Sequence, residues 1–161
     1  MELRALMRRD RSKIDNLVAA AIHAGSIGYY SEVEAHAWEQ SHHLDVLLSA
    51  DHTVVISERS SLLAIAGVDA IARYHIRFVF VAPDRWRQGL GRFVVHLLED
   101  FCAANGVSEM NVAAAKSAVE FYKTLGYFPE RRIQFLMSDH NEADRVLKID
   151  AVAMSKHMDV C

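Results

Sequence analysis

The sequence predicts an α/β (α+β) fold, a sheet flanked by helices, on three observations. Short runs rich in valine, isoleucine and phenylalanine alternate along the chain with segments whose apolar residues recur at i, i+3, i+4 and i+7. One run, ending Val79-Phe80-Val81, passes through Pro83 and a glycine-bearing turn directly into such a helical segment. The 161 residues, 52% hydrophobic and 24% charged, exclude disorder and suit one domain over 1–161, with a single core.

The elements follow in order. A strand is expected near 2–7, then a helix started by a capping box at Ser12 and Asp15, with Ile14, Leu17, Val18, Ala21 and Ile22 on one face. Gly25 and Gly28 break it. Ser31 and Glu34 repeat the capping pattern for a second helix containing Trp38, and a further helical turn covers 44–48. Residues 53–57 and 62–68 read as a hairpin, and 74–81 as the next strand. Leu90, Phe93, Val94, Leu97, Leu98 and Phe101 form the apolar stripe of the following helix. A strand at 108–113, a short helix around Tyr122 stopped by Gly126, and strands at 133–136 and 146–155 complete the chain.

Several function classes are excluded early. A formal charge of −3 argues against a nucleic-acid surface, and no run of eighteen apolar residues suggests a membrane span. The N-terminus lacks an apolar leader core, so a cytoplasmic protein is expected. Cys102 and Cys161 make no disulfide framework, and Cys102 reads as a small core residue. His36, His42, His43 and His52 lack metal-ligand spacing, so no metal is expected.

The segment 79–92 carries chemistry. Pro83 stops the strand, Gly89 and Gly91 permit close backbone approach, and the helix that follows presents unpaired N–H groups at a positive dipole end. A pyrophosphate fits such a turn, and Arg73, Arg77, Arg85, Arg87 and Arg92 cluster around it. The second motif is Ala115-Lys116-Ser117-Ala118-Val119-Glu120-Phe121-Tyr122, with Gly126 four residues on.

At this order and spacing the two motifs resemble the GCN5-related N-acetyltransferase (GNAT) family. Its acetyl-CoA loop reads V-x-P-x-x-R/Q-x-x-G-x-G/A and its later helix N-x-x-A-x-x-F/L-Y-x-x-x-G-F/Y. The chain departs at Trp86, where the family has Arg or Gln, and at Ala115, where it commonly has Asn. The resemblance implies a mixed central sheet in which the strands at 74–81 and 108–113 splay apart to hold acyl-CoA. The pantetheine arm would then bond to the main chain of Val79, Phe80 and Val81, and the pyrophosphate to Arg87, Gln88, Gly89, Leu90, Gly91 and Arg92, with Ser117 supplying a substitute hydroxyl.

Acetyl transfer by direct attack needs a held thioester, a neutral amine and a proton donor for the departing thiolate. Tyr122 stands at the family's tyrosine position and is the expected donor; the alternative is a core tyrosine. Strict alternation places His75, Arg77, Val79 and Val81 on one face of their strand. His75 matches a histidine of the arylalkylamine acetyltransferases and is the candidate base, and Arg77 suggests an anionic group on the acceptor. Tyr29, Tyr30 and Trp38 could line an acceptor pocket. The resemblance therefore implies an acetyl-CoA-dependent N-acetyltransferase for a primary amine of a small molecule or peptide. The alternative is an acyl-CoA-binding module of weak or lost turnover. Expected partners are acetyl-CoA, an amine acceptor and a second copy in a homodimer.

Overall fold

The computed structural model describes residues 1–139 and 141–159; Cys161 lies outside the described residues. The elements are β1 (Glu2–Arg4), α1 (Arg11–Ser26), α2 (Glu32–Gln40), α3 (Leu44–Leu48), β2 (His52–Glu58), β3 (Ser61–Val68), β4 (Ile76–Val81), α4 (Leu90–Ala104), β5 (Glu109–Ala115), α5 (Val119–Thr124), β6 (Phe128–Ser138) and β7 (Val146–His157). The strands form one mixed sheet in the order β1-β2-β3-β4-β5-β7-β6. Every neighbouring pair is antiparallel except β4 and β5.

Each face of the sheet carries its own apolar cluster. On one side Val94, Val95, Leu98 and Cys102 of α4 pack with Tyr122 of α5 against Ala64, Val112 and Met154. On the other, Ile14, Leu17 and Val18 of α1, with Leu44 and Leu47 of α3, cover Val55, Ile65, Phe78 and Phe80. α4 is further tied to β7 by its buried Glu99. That carboxylate accepts from Lys156 Nζ at 2.9 and 3.1 Å and from the Tyr127 hydroxyl at 2.9 Å, and it meets His96 Nδ1 at 3.1 Å. A buried charge is tolerated where it is paired in this way.

Local signals explain most boundaries. At α2 the capping box forms as expected: Glu34 N–H donates to Ser31 Oγ at 3.1 Å, and Ser31 N–H to the Glu34 carboxylate at 3.0 Å. The box expected at Ser12 and Asp15 is absent. α1 begins earlier, at Arg11, and Asp10 before it is taken up by a bidentate pair with Arg4 at 2.8 and 2.9 Å and by Met7 N–H. Gly25 does not break α1, which runs to Ser26; the left-handed Gly28 (φ 81°) follows it. β6 is eleven residues, far longer than the expected 133–136, because β7 pairs with it along its whole length while its exposed outer residues give little apolar signal.

β4 departs from simple alternation. Its register against β3 shifts between Gly67↔Phe78 and Val68↔Ile76, leaving Arg77 as an extra residue. A β-bulge of this kind resets the side-chain phase. Ile76 therefore belongs with the α4-side cluster that Val79 and Val81 also meet, while Phe78 and Phe80 face α1. The expectation of one unbroken alternation from Tyr74 to Val81 is corrected accordingly.

Gly67 makes room for the Phe78 ring. A Cβ there would stand 2.3 Å from Phe78 Cε1. Gly67→Ala should destabilise the protein by about 1–3 kcal/mol, the usual cost of overpacking. A thermal melt checks this, and an unchanged midpoint would show that Phe78 repacks freely.

Candidate active site

β4 and β5 touch at one bridge only, Ile76↔Val112, and diverge beyond it. The closed end is reinforced by His75 and Asn111. His75 N–H donates to the Asn111 carbonyl at 2.9 Å, and Asn111 N–H donates to His75 Nδ1 at 3.0 Å. His75 precedes β4, is buried, and burial lowers its pKa below the usual histidine value. Because Nδ1 accepts an amide proton, the ring proton sits on Nε2, and neither nitrogen keeps a free lone pair. This is the arrangement of a clamp between two strands, in which the ring offers no lone pair to the amine that the expected base would deprotonate.

Past the bridge, the edge of β4 that faces β5 is open. Ala82 N–H donates to Leu63 O at 2.8 Å, and main-chain groups alternate sides along a strand, so Phe80 and Ala82 address β3 while Val79 and Val81 address the gap. Phe80 thus offers no main-chain contact to a ligand in the gap, a correction to its expected role. Trp86 Nε1 donates to Val81 O at 2.9 Å. Among the described residues this leaves Val79 N–H, Val79 C=O and Val81 N–H on this edge without a partner.

The open edge leads to the turn before α4. Arg87 (φ 62°) and Gly89 (φ 82°) are both left-handed, and Gly89 is the N-cap residue of α4 with empty space around its Cβ position. Leu90, Gly91 and Arg92 open the helix, so their N–H groups have no partner within it. Arg87, Gln88 and Arg92 are exposed; among the described residues neither arginine has a carboxylate partner. Arg85, by contrast, meets Glu58 at 3.5 Å and Asp84 at 4.0 Å. Gly91 has a second reason to be glycine: a Cβ there would stand 3.1 Å from the Phe121 ring, which seats α5 against the first turn of α4.

Tyr122 of α5 is buried, its ring edge-on to Phe121 at 5.1 Å and to Tyr127 at 5.4 Å. Burial pushes its pKa up, so the phenol stays protonated. Among the described residues its hydroxyl has no hydrogen-bond partner, yet no fully buried side-chain polar atom there lacks one. The hydroxyl is therefore not a fully buried atom. Cys102, whose thiol burial lifts to about 11, is an inert core residue.

Two expected residues sit elsewhere. Ser117 Oγ lies 3.8 Å from the Cβ position of Gly25 and so faces the last turn of α1. Arg77 is engaged by Asp69 at 3.4 Å, Ser49 Oγ at 3.0 Å and Val46 O at 3.3 Å, which leaves no free cation for an acceptor anion. Tyr30 is the residue whose role sequence reading left least defined. Its hydroxyl accepts from Lys116 N–H at 2.9 Å and donates to Asp150 O, while Lys116 Nζ lies 4.7 Å from its ring centre. Nearby, a cleft of about 950 Å³ is lined by Tyr29, Lys116, Glu120, Arg132, Gln134 and Asp150. A smaller hollow of about 440 Å³, between β1 and the β2–β3 turn, includes no residue of the α4 turn and not Tyr122. No three His, Cys, Asp or Glu side chains converge among the described residues.

A family model described as the acetyltransferase (GNAT) family matches residues 18–127. The chain belongs to that family. Solved structures agree on the fold. A GCN5-related N-acetyltransferase from Rhodopseudomonas palustris superposes with a TM-score of 0.81 at 22% identity, covering 98% of this chain and 95% of that one. PaiA N-acetyltransferase from Thermoplasma acidophilum, in complex with coenzyme A, gives 0.76 at 16% identity with 98% of both chains covered. The ribosomal-protein-S18-alanine N-acetyltransferase from Escherichia coli gives 0.63 at 16% identity, covering 99% and 95%. This chain thus has the GNAT fold, a mixed sheet between helices, and among the described residues no helix is long and apolar enough to cross a membrane.

The His75 clamp has a pH signature. A neutral histidine with a depressed folded pKa contributes stability that is intact above about 6.5 and lost as pH falls through the folded value, because the unfolded chain takes the proton first. The melting temperature should fall on acidification below neutrality. His75→Asn, whose side-chain carbonyl can accept from Asn111 without titrating, should flatten that fall. Parallel slopes for the two proteins would count against the clamp.

Proposed function

We propose that the protein is an acetyl-CoA-dependent N-acetyltransferase that acetylates a primary amine of a small molecule or peptide by direct attack. The observation that carries this reading is the single bridge between β4 and β5, which leaves Val79 N–H, Val79 C=O and Val81 N–H unpaired in a gap that ends at the turn before α4. An extended amide-bearing arm satisfies such an edge as an added strand would. The pyrophosphate of coenzyme A suits the helix terminus at Gly89, Leu90 and Gly91, with Arg87, Gln88 and Arg92 around it. The coenzyme A complex of the Thermoplasma relative supports the same assignment by likeness of fold.

In this reading Tyr122 is the acid. Its elevated pKa keeps the proton on the oxygen until a thiolate forms beside it, and its hydroxyl, without a partner among the described residues, is free to give that proton up. Trp86 replaces the family's Arg or Gln without closing the cradle, since its indole turns back to Val81 O. The protein acts as one domain, and the 950 Å³ cleft beside Tyr29 and Lys116 offers room for the acceptor.

Coenzyme A binding should raise stability by about 2.7 kcal/mol at a hundredfold excess over the dissociation constant. A melt unmoved by millimolar coenzyme A would refute the cradle. Free-thiol release from acetyl-CoA with a panel of amines then separates an enzyme from a binding module. Tyr122→Phe should lower turnover by roughly 10² to 10⁴ with unchanged acetyl-CoA affinity; turnover within about threefold of the parent would make the tyrosine structural.

A further inference from the structure

On the face of the sheet opposite α4, an aromatic row spans the mouth of the gap. Tyr30, bonded to Lys116 just past β5, stands edge-on to Trp38 at 5.3 Å; Trp38 meets His42 at 6.5 Å, and His42 stands edge-on to Phe80 of β4 at 5.3 Å. The row thus joins the ends of both splayed strands, with His42 in its interior.

The hydrogen bonds of His42 fix its tautomer. Nδ1 lies 2.9 Å from Trp38 O, which can only accept, and 2.9 Å from Ser41 Oγ, whose own proton goes to Trp38 O at 2.6 Å. Nδ1 must carry the ring proton, and Nε2 keeps its lone pair. Among the described residues Nε2 has no hydrogen-bond partner and is not a fully buried atom. His75, which fills the expected place for a base, has the opposite tautomer and no lone pair to offer.

The geometry points to His42 as the general base of the transfer, taking the proton from the acceptor nitrogen on the side of the gap opposite α4. This rests on the transferase reading above. As the amine nitrogen attacks, its C–N bond forms and an N–H bond breaks, with the proton passing to Nε2. The C–S bond of the thioester breaks, and the thiolate takes the Tyr122 proton. Solvent then carries the proton from the imidazolium back to the phenolate, so the products are the acetylated amine and free thiol. Burial lowers the His42 pKa, as do the two groups that face it, Arg77 of β4 and His43. It is neutral and ready at pH 7.

The test uses the most active amine of the panel and a fluorinated analogue of lower basicity. For both, kcat/KM should fall in acid with two inflections, one that follows the amine's own pKa and one below about 6.5 that does not move with the amine. His42→Gln and His42→Asn should lower it by roughly 10² to 10⁴ and abolish the lower inflection, while the coenzyme A thermal shift is retained. Asn still donates to Trp38 O, so activity within threefold in His42→Asn would assign His42 a structural role and overturn the proposal. Survival in the variants of the lower inflection, the one that does not move with the amine, would do the same. Imidazole nitrogen spectra of the unliganded protein test the tautomer independently: the Nδ1–H form is expected, and an Nε2–H form overturns the proposal. If the wild-type protein acetylates no amine, the transferase reading itself fails and the base role with it.

Discussion

The arrangement depends on two parallel strands being held together at one end and kept apart at the other. Parallel strands gain a main-chain hydrogen bond at each step of pairing, so separation beyond Ile76↔Val112 leaves polar backbone groups in want of partners. The closed end is secured by the reciprocal bonds of His75 and Asn111. At the open end, Trp86 satisfies Val81 O while Val79 remains free. α4 and α5 meet through Phe121 over Gly91, and the Glu99–Lys156–Tyr127 group fastens α4 to the sheet.

How much of this was legible in the sequence depends on how local each cause is. The turn before α4 was readable because proline, glycine and the helical stripe are consecutive signals, and Leu90 begins the helix where the spacing placed it. The capping box at Ser31 was readable for the same reason. The β4 bulge was not, since it exists only against β3, and one extra residue at Arg77 changes which face its neighbours occupy. The same non-local cause explains His75, whose ring is spent on Asn111, thirty-six residues away in sequence.

Charge followed a similar division. The arginines around the turn form one cluster in sequence, but Arg77 and Arg85 are neutralised by Asp69 and Glu58, which the fold brings to them. Only pairing in three dimensions separates these from Arg87 and Arg92. His42 gave no signal of its own in sequence because the telling feature is the proton on Nδ1, set by the Trp38 carbonyl four residues earlier. A Trp–His pair at helical spacing, followed by a strand phenylalanine that it packs against, is the pattern that could have raised it.

If the unpaired edge of β4 receives an extended arm of coenzyme A, its amides must change their solvent exposure on binding. Amide hydrogen exchange resolved to single residues, with and without coenzyme A, tests this most directly. The Val79 and Val81 N–H groups should gain protection on binding, while Phe80 N–H, already committed to β3, should not change. Equal exchange at Val79 and Val81 in both states, under conditions where coenzyme A is bound, would contradict the strand-like seating of the arm.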